Sequence, residues 1–491
     1  MPSISSSTKH AVHCTALAAT ICAFIYIGGG NPFDVKIRSV DLLDPWESYG
    51  IFGCILLYFC RGVVISGLPQ TIFNFCGLVF YNAFPGKPQV RQLPFKLPFI
   101  CIRVVTRGNY PDLVRRNVER NSNTCLDAGL DNFMIEVVTD KSIGILPNAR
   151  TREIVVPADY RTTTGVLFKG RALQYALEDG VNILSDRDWI VHLDEETLLT
   201  ESSVKGIMNF AIADKHSFGQ GLITYGSEKI VNWLLTLSDA YRSADDMGKL
   251  RFQFSFFHKP IYGWKGSFVV SKVEAERKVS FDNGIDSSVA EDCFFSMVAY
   301  SKGYSFDFIE GEMWEKSPFN VLDFLRQRKR WLQGILLTVH SPLIPWRCKP
   351  LIFLSVYSWV TLPLATSNLF LSSLYPIPLP QWYDFMMFFV AGVNMYMYLY
   401  GVWISFSIAR LGWIKFALCL VAGVLTTPLK LVVENVAVIW GLLSKKHEFY
   451  VVNKEVEQRE HHNHDQRVRL EVMKSLSDEL VFHQLRPGFG R

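Results

Sequence analysis

Long apolar segments lie near both ends of the chain, and a segment of mixed character separates them. Residues 11–27 come close to the roughly 20 residues that a transmembrane helix needs, and residues 51–84 exceed that length with Arg61 as their one charge. Arg61 is expected near a membrane interface or paired inside the membrane. The N-terminal part of the chain therefore predicts two spanning helices.

The C-terminal part contains three further apolar runs, at residues 351–375, 385–408 and 413–443. The first two have the length of full spans. The third run contains Lys430 and Glu434, so it is open whether it crosses the membrane, re-enters it or lies partly in the interface. The pattern thus predicts four spans and leaves a fifth open.

Between these runs, short apolar segments of the β type are separated by helical patterns. The β-type segments are FICIRVVT (99–106), FMIEVVTD (133–140), EIVVP (153–157) and DWIVHLD (188–194). Helical patterns start at Pro111 and at Lys169, and they stop at Gly129 and Gly180. Strands that alternate with helices predict parallel βαβ units, in which ligands bind beyond the carboxyl ends of the strands.

The pattern divides the chain into four parts. We predict two transmembrane helices and a linker in residues 1–96 and an α/β domain in 97–345. A membrane region of two to three spans follows in 346–443, and a polar tail in 444–491. Composition agrees, since 49% hydrophobic residues is high for a soluble protein. A net charge of +4 gives no bulk electrostatic reason to expect nucleic acid as a partner.

The segment VHLDEET (191–197) places three carboxylates where an apolar strand ends. Asp194 and Glu196 can offer oxygen ligands to Mg²⁺ or Mn²⁺, which take one or two carboxylates and complete their shell with water and phosphate oxygens. The alternative interpretation is a solvated acidic turn. The ten cysteines contain no CxxC pair, which argues against a zinc site or a disulfide framework.

A second acidic pair, Glu291 and Asp292, precedes an apolar run in SSVAEDCFF (287–295). Acids at such a place also simply stabilise the N-terminus of a helix. The functional interpretation makes Asp292 a general base within hydrogen-bond reach of a substrate hydroxyl.

The basic segment RQRKRW (326–331) is followed directly by the apolar LQGILL. One interpretation is an interfacial amphipathic helix whose cations contact anionic lipid headgroups. The other places Gln327, Arg330 and Trp331 on one helical face, where they grip a diphosphate and stack beside a sugar. Both interpretations put this helix at the membrane surface.

Taken in order, these elements resemble the motifs of the inverting, membrane-bound family 2 glycosyltransferases. Asp140 in VVTD resembles the family's first nucleotide-binding aspartate, and Lys169 in FKGRAL resembles its donor-contacting basic residue. The triplet 194–196 occupies the metal-binding DxD position with Glu196 in place of the commoner aspartate. The pair 291–292 matches the acidic motif that contains the base, and residues 327–331 match QxxRW.

The resemblance implies a Rossmann-like GT-A domain that faces the cytosol and is inserted between N- and C-terminal transmembrane helices. It implies Asp292 as the catalytic base and Mg²⁺ or Mn²⁺ at Asp194 and Glu196. The residues that it assigns to the donor and its diphosphate are Thr106, Arg107, Asp140, Lys169, Asp194, Gln327, Arg330 and Trp331. Those that it assigns to the acceptor are Trp264, Glu291 and Trp331, with core packing as the alternative role for Trp264.

Two details of the resemblance concern substrate handling. Arg107-Gly108 sits where many relatives carry tyrosine–asparagine–glutamate. The segment HEFYVVNKE (447–455) resembles the FxVTxK gating loop of cellulose-synthase relatives, with Asn453 in place of threonine. The candidate gate residues are Phe449, Val451 and Lys454, and a short tail strand is the alternative.

Within the family, residues 154–173 and 263–270 are similar to the invertebrate β-1,4-mannosyltransferases of the Egghead type. That similarity implies GDP-mannose as donor, glucosylceramide in the lipid bilayer as acceptor, and mannosyl-β-1,4-glucosylceramide as product. It also implies a multi-pass protein of the endoplasmic reticulum or Golgi.

Two other functions remain open at this point. A processive polysaccharide synthase of the same family, making chitin, hyaluronan or a glucan, agrees with QxxRW and the gate-like tail but usually needs more spans. A transporter that uses Arg61, Lys430 and Glu434 would leave the predicted α/β domain, of ordinary domain size, without a task.

Overall fold

The computed structural model of the chain describes residues 5–28, 44–90, 98–445, 450 and 452. The candidate gate residues Phe449, Val451 and Lys454 lie outside the described residues. The seven strands are β1 (Ile100–Thr106), β2 (Phe133–Thr139), β3 (Thr151–Val155), β4 (Trp189–Asp194), β5 (Phe218–Thr224), β6 (Val269–Lys272) and β7 (Phe306–Trp314).

Fifteen α-helices accompany the strands within the described residues. Those before β5 are α1 (Ser6–Gly28), α2 (Pro45–Gly62), α3 (Leu68–Phe80), α4 (Pro111–Asp127), α5 (Phe168–Tyr175) and α6 (Glu201–Ala213). Those after β5 are α7 (Trp233–Asp245), α8 (Val273–Val279), α9 (Glu291–Ser301), α10 (Val321–His340), α11 (Pro350–Val360), α12 (Leu362–Leu374), α13 (Gln381–Ser405), α14 (Ile408–Leu425) and α15 (Thr427–Leu443).

The strands form one mixed sheet in the order β3-β2-β1-β4-β6-β5-β7. The first four are parallel neighbours, as the alternation of strands and helices predicts. β6 runs antiparallel to both β4 and β5, whereas β5 and β7 are parallel to each other. The carboxyl ends of β1, β2 and β4 therefore meet at one edge of the sheet.

A row of charged side chains crosses the buried centre of this sheet. Arg152, Glu136, Arg103 and His192 are direct neighbours on β3, β2, β1 and β4. Arg103 Nε lies 2.6 Å from Glu136 Oε1, and His192 Nε2 lies 2.7 Å from Glu276 Oε2 of α8. Because an unpaired buried charge is costly, this pattern of pairs is satisfied in one strand register, and it ties four strands and α8 together.

The predicted helices of the α/β region form, with one change of length. α4 begins at Pro111, and the chain leaves it through Gly129 at a φ of +83°, as the proline start and glycine stop predict. α5 ends at Tyr175, one turn before the predicted end, because the following residues form separate turns up to Gly180 at a φ of +87°.

Four helical segments of the described chain are long and apolar enough to cross a membrane: Ser6–Gly28, Pro45–Phe80, Gln381–Ser405 and Ile408–Leu425. The pair α11–α12 becomes a fifth if it is one span bent by 54°. The chain is therefore a membrane protein, with α15 outside this set of spans. Arg61 is buried between helices, where its Nη1 donates a 2.5 Å hydrogen bond to Asn368 Oδ1 on α12. The predicted domain boundaries remain predictions.

Glycines let the membrane helices contact the α/β region at backbone distance. A Cβ at Gly77 of α3 would overlap the carbonyl of Gly248, in the π-helical segment that continues α7. A Cβ at Gly401 of α13 would overlap the carbonyl oxygen of Ala240 on α7. Helix α13 thus packs closely against α7, and α3 packs closely against the π-helical segment that follows α7.

We expect Gly401→Ala to lower the free energy of unfolding by about 1–3 kcal/mol, because the added methyl forces two packed helices apart. The measurement is the thermal midpoint of the detergent-solubilised protein, followed by size exclusion after heating. Gly62→Ala is the control, since no atom lies within 4 Å of a Cβ built there. An equal midpoint for both variants would contradict the tight α7–α13 contact.

Candidate active site

The edge where β1, β2 and β4 end carries three of the predicted donor-site residues. Thr106 ends β1, Asp194 ends β4, and Asp140 follows β2 directly. Because β1 lies between β2 and β4, the two aspartates are separated by two strand spacings, about 10 Å. The prediction that strand ends bring these residues to one edge is confirmed.

Lys169, near the start of α5, joins this edge to the acidic pair on α9. Its Nζ lies 2.5 Å from Asp194 Oδ1 and 3.7 Å from Glu291 Oε1, and it donates to the carbonyl of Gly266 at 3.2 Å. Burial by itself would lower the pKa of Lys169, but Asp194, Glu291 and Asp292 raise it above its ordinary value. The ammonium therefore stays charged and neutralises part of the acidic site.

The acidic pair lies at the N-terminus of α9, and its environment opposes full ionisation. Burial and the neighbouring Asp292 raise the pKa of Glu291 to about 7, although Lys169 and Arg330 pull it down. Burial also raises the pKa of Asp292, against the Cys293 N–H that donates to its Oδ1 at 2.7 Å and the charges of Lys169 and Arg330. Two acids whose pKa values are raised in one cleft are typical of proton-transfer sites.

The segment 263–270 forms the wall beside this pair. Trp264 Nε1 donates to the backbone carbonyl of Asp292 at 2.8 Å, while its ring stacks on Phe295 with centroids 5.8 Å apart. A Cβ at Gly266 would come within 2.9 Å of Asp292 Oδ2. Trp264 is 8% exposed, so it belongs to the core and also holds the backbone of Asp292, the predicted base.

A cleft enclosing about 320 Å³ of space between atoms, part of it open to solvent, opens at this wall. Its polar lining comes from the candidate site and from the buried charge row: Lys169, Glu291, Asp292, Lys265, His192 and Glu276. Aromatic and aliphatic side chains line the rest. The cleft thus connects the predicted catalytic residues with the ionic centre of the sheet.

Helix α10 carries the QxxRW residues next to the acidic pair. The charge of Arg330 acts on both Glu291 and Asp292, and the buried Gln327 Oε1 accepts no hydrogen bond among the described residues. The Trp331 ring lies under two guanidinium groups, with Arg328 Cζ at 4.6 Å and Arg242 Cζ at 4.5 Å. Part of the basic segment 326–331 therefore lies at the candidate site, so contact with lipid headgroups is not its only possible role.

The three acids at the end of β4 differ in their exposure to solvent. The Asp194 side chain is 38% exposed, whereas Glu195 and Glu196 are buried. Glu195 Oε2 accepts a 2.5 Å hydrogen bond from Thr106 Oγ1, so this acid links the ends of β4 and β1. The interpretation as a freely solvated acidic turn does not describe this segment.

The acids offer a divalent cation one accessible carboxylate, not a complete cage. Within the described ranges, two groups of three His, Cys, Asp or Glu ligand atoms converge, and neither contains Asp194 or Glu196. Mg²⁺ often uses one or two carboxylates and takes its other ligands from water and phosphate. Asp194 fits that role, and Glu196, at 8% exposure, fits it less well.

Several residues of the site were not predicted. Arg171 on α5 pairs with Asp140 through a 2.6 Å contact between Nη2 and Oδ1, and Arg242 contacts Trp331 as described above. Arg171 stands two positions after Lys169 in FKGRAL, which was the available signal. Gly266 and Arg242 offered none, because their importance depends on contacts distant in sequence.

Comparisons with known proteins identify the family of the chain. Residues 189–404 match the model of glycosyl transferase family group 2. Over 453 residues, 92% of this chain and 99% of the relative, the chain is 61% identical to the β-1,4-mannosyltransferase egh of Drosophila melanogaster. It is 53% identical to the β-1,4-mannosyltransferase bre-3 of Caenorhabditis elegans, over 91% of this chain and 98% of that one. The crystal structure of S. aureus TarS residues 1–349 aligns at 11% identity with a TM-score of 0.31, over 61% of this chain and 90% of that one.

The mixed sheet and the family match define a GT-A-like fold, in a chain whose apolar helices make it a membrane protein. With its full-length relatives, the chain belongs to the family 2 glycosyltransferases, in the group of the Egghead-type β-1,4-mannosyltransferases. The family and the enzyme class expected from the motifs are confirmed. The roles of individual site residues remain predictions.

We expect kcat/KM for sugar transfer to fall on the acidic side of its pH profile, the acid limb, at a pH above the ordinary range of an aspartate. The reason is that burial raises the pKa of Asp292, and the protonated acid cannot act as a base. Glu291→Gln removes a negative neighbour of Asp292, so the acid limb should move down by about one pH unit. Glu274→Gln, an acid change on the exposed face of α8, is the control. An acid limb at the same pH in all three proteins would show that Glu291 does not influence the base.

Proposed function

We propose that the protein transfers mannose from GDP-mannose to glucosylceramide, with inversion at the anomeric carbon, to form mannosyl-β-1,4-glucosylceramide. The observation that supports this most is the contact of Lys169 with both Asp194 and Glu291, beside Asp292. Lys169 thus links the sheet edge that we propose to bind the diphosphate with the acidic pair that contains the proposed base. The sugar and the linkage are inferred from the names of relatives that are 53% and 61% identical.

In the proposed reaction, Asp292 accepts the proton of the attacking hydroxyl while the bond from the anomeric carbon to GDP breaks on the opposite face. A positioned base of this kind contributes roughly 10²–10⁴-fold in rate. The leaving diphosphate gains negative charge, and we propose that Lys169 and Arg330, whose charges act on the neighbouring Asp292, stabilise it. The hydrogen bond from Trp264 and the close approach of Gly266 hold Asp292 in place.

We propose Mg²⁺ or Mn²⁺ as the cofactor, with Asp194 as its principal protein ligand and Glu196 as a weaker candidate. When bound, such an ion would supply positive charge for the diphosphate of the donor. The support is the Asp194 carboxylate, 38% exposed, at the sheet edge where Asp140, the expected nucleotide-binding residue, follows a neighbouring strand.

The membrane helices suit an acceptor whose tails stay in the bilayer. α10 carries the QxxRW residues beside the base, and α15, which leaves the membrane region, packs along it: Gln333 Nε2 donates to the carbonyl of Gly441 at 2.8 Å. We propose that the sugar of a membrane lipid enters near this contact. Because nucleotide sugars of this kind are cytosolic, we also propose that the α/β region faces the cytosol, in the endoplasmic reticulum or Golgi.

The test of the function gives purified full-length protein labelled GDP-mannose, UDP-glucose or UDP-N-acetylglucosamine, with glucosylceramide, with and without Mg²⁺ or Mn²⁺. We expect one mannose per lipid, from GDP-mannose alone. A long polymer would establish a processive synthase instead, and no product from any nucleotide sugar would refute the proposal.

Asp292→Asn should reduce transfer by at least about 10²-fold, since it removes the base while keeping the size of the side chain. Binding of GDP-mannose, measured by calorimetry, should stay within a few-fold of wild type. Asp286→Asn, an exchange five residues before Glu291, is the control. Loss of donor binding together with activity would mean that Asp292 supports the structure and does not act as the base.

A further inference from the structure

Helix α5 places a basic side chain on each of the two strand-end aspartates. Lys169 Nζ lies 2.5 Å from Asp194 Oδ1, and Arg171 Nη2 lies 2.6 Å from Asp140 Oδ1. Both basic side chains are largely buried, with 14% and 15% exposure. The negative charges of Asp194 and Asp140 are therefore neutralised by basic side chains of the chain itself.

A divalent cation and the Lys169 ammonium compete for the same aspartate. At contact distance two positive charges repel each other by an amount that burial increases. An ion that binds Asp194 Oδ1 must displace Lys169, and one that binds the other oxygen still meets its charge. The ion pair thus lowers the affinity of the empty site for metal.

Lys169 has alternative partners within a short movement. Its Nζ already donates to the carbonyl of Gly266 and lies 3.7 Å from Glu291 Oε1. A shift of about 1 Å from Asp194 towards Glu291 gives a normal charge-assisted hydrogen bond of about 2.8 Å. Flexible four-carbon side chains such as lysine allow that shift without backbone movement.

We propose that Lys169 is an exchangeable cation: it pairs with Asp194 in the empty site and passes to Glu291 and the donor diphosphate when a divalent ion takes Asp194. The inference rests on the proposed function, because it assumes a diphosphate donor. It makes metal binding conditional on the donor, whose phosphates attract both cations. By reciprocity, metal and nucleotide strengthen each other's binding equally.

Arg171 provides the matched comparison. It leaves the same helix, makes the same kind of pair at nearly the same distance and is equally buried, yet its aspartate is two strands away from Asp194. Removal of Arg171 should therefore leave metal affinity unchanged, whereas removal of Lys169 should raise it.

The experiment measures Mn²⁺ binding to the full-length protein in detergent by the electron paramagnetic resonance of free Mn²⁺, with and without GDP. We expect Lys169→Met to bind Mn²⁺ about tenfold more tightly than wild type when GDP is absent. Arg171→Met should match wild type, and Asp194→Asn should lose the site. Addition of GDP should strengthen Mn²⁺ binding to wild type and narrow its difference from Lys169→Met.

Each contrary result has a distinct meaning. Equal Mn²⁺ affinity in wild type and Lys169→Met, with Asp194→Asn still deficient, overturns the exchange and leaves the proposed function intact. Tight Mn²⁺ binding that Asp194→Asn does not weaken overturns both the exchange and the metal assignment. Lys169→Gln repeats the comparison if the methionine variant unfolds, and mannose transfer by wild type in the same preparation tests the function separately.

Discussion

The active site depends on one buried ammonium group among carboxylates. Asp194 comes from the end of β4 and Glu291 from the start of α9, and Lys169 contacts both. Without that cation, Asp292 and its neighbours would repel one another in a cleft where burial already disfavours their charged forms. Lys169 therefore allows three acids to lie close together at the candidate active site.

A second set of ionisable side chains, buried in the sheet, fixes the strands whose ends carry the site residues. The row Arg152–Glu136–Arg103–His192 spans β3 to β4 in direct register, and it ends on Glu276. A buried ion pair contributes little net stability, but a shift of one residue would leave several charges unpaired. The row thus favours one register, and the register decides that Asp140 and Asp194 reach the same edge.

Local sequence patterns were sufficient to predict β1 to β4 and the acids at their carboxyl ends, whereas β5, β6 and β7 were not predicted. The apolar run before Asp194 and the proline and glycine that bound α4 are local signals, and the structure follows them. The pairing of Arg171 with Asp140, the antiparallel β6 and the guanidinium contacts of Trp331 could not be predicted in this way. They arise from contacts between segments far apart in sequence, which no single periodicity records.

The charged residues of the membrane region show why a transport pathway is not needed to explain them. Arg61 donates to Asn368, and Lys430 Nζ donates to the carbonyl of Gly423 at 3.0 Å. Glu434 Oε1 lies 3.1 Å from Arg328 Nε, and Arg328 Nη2 also pairs with Asp239 of α7 at 2.7 Å. Since Arg328 lies on α10 two residues before Arg330, these pairs tie α15 and α7 to the helix that carries QxxRW. Glu434 and Asp239 thus hold Arg328 from two sides, so α15 and α7 help to position α10 beside the candidate active site.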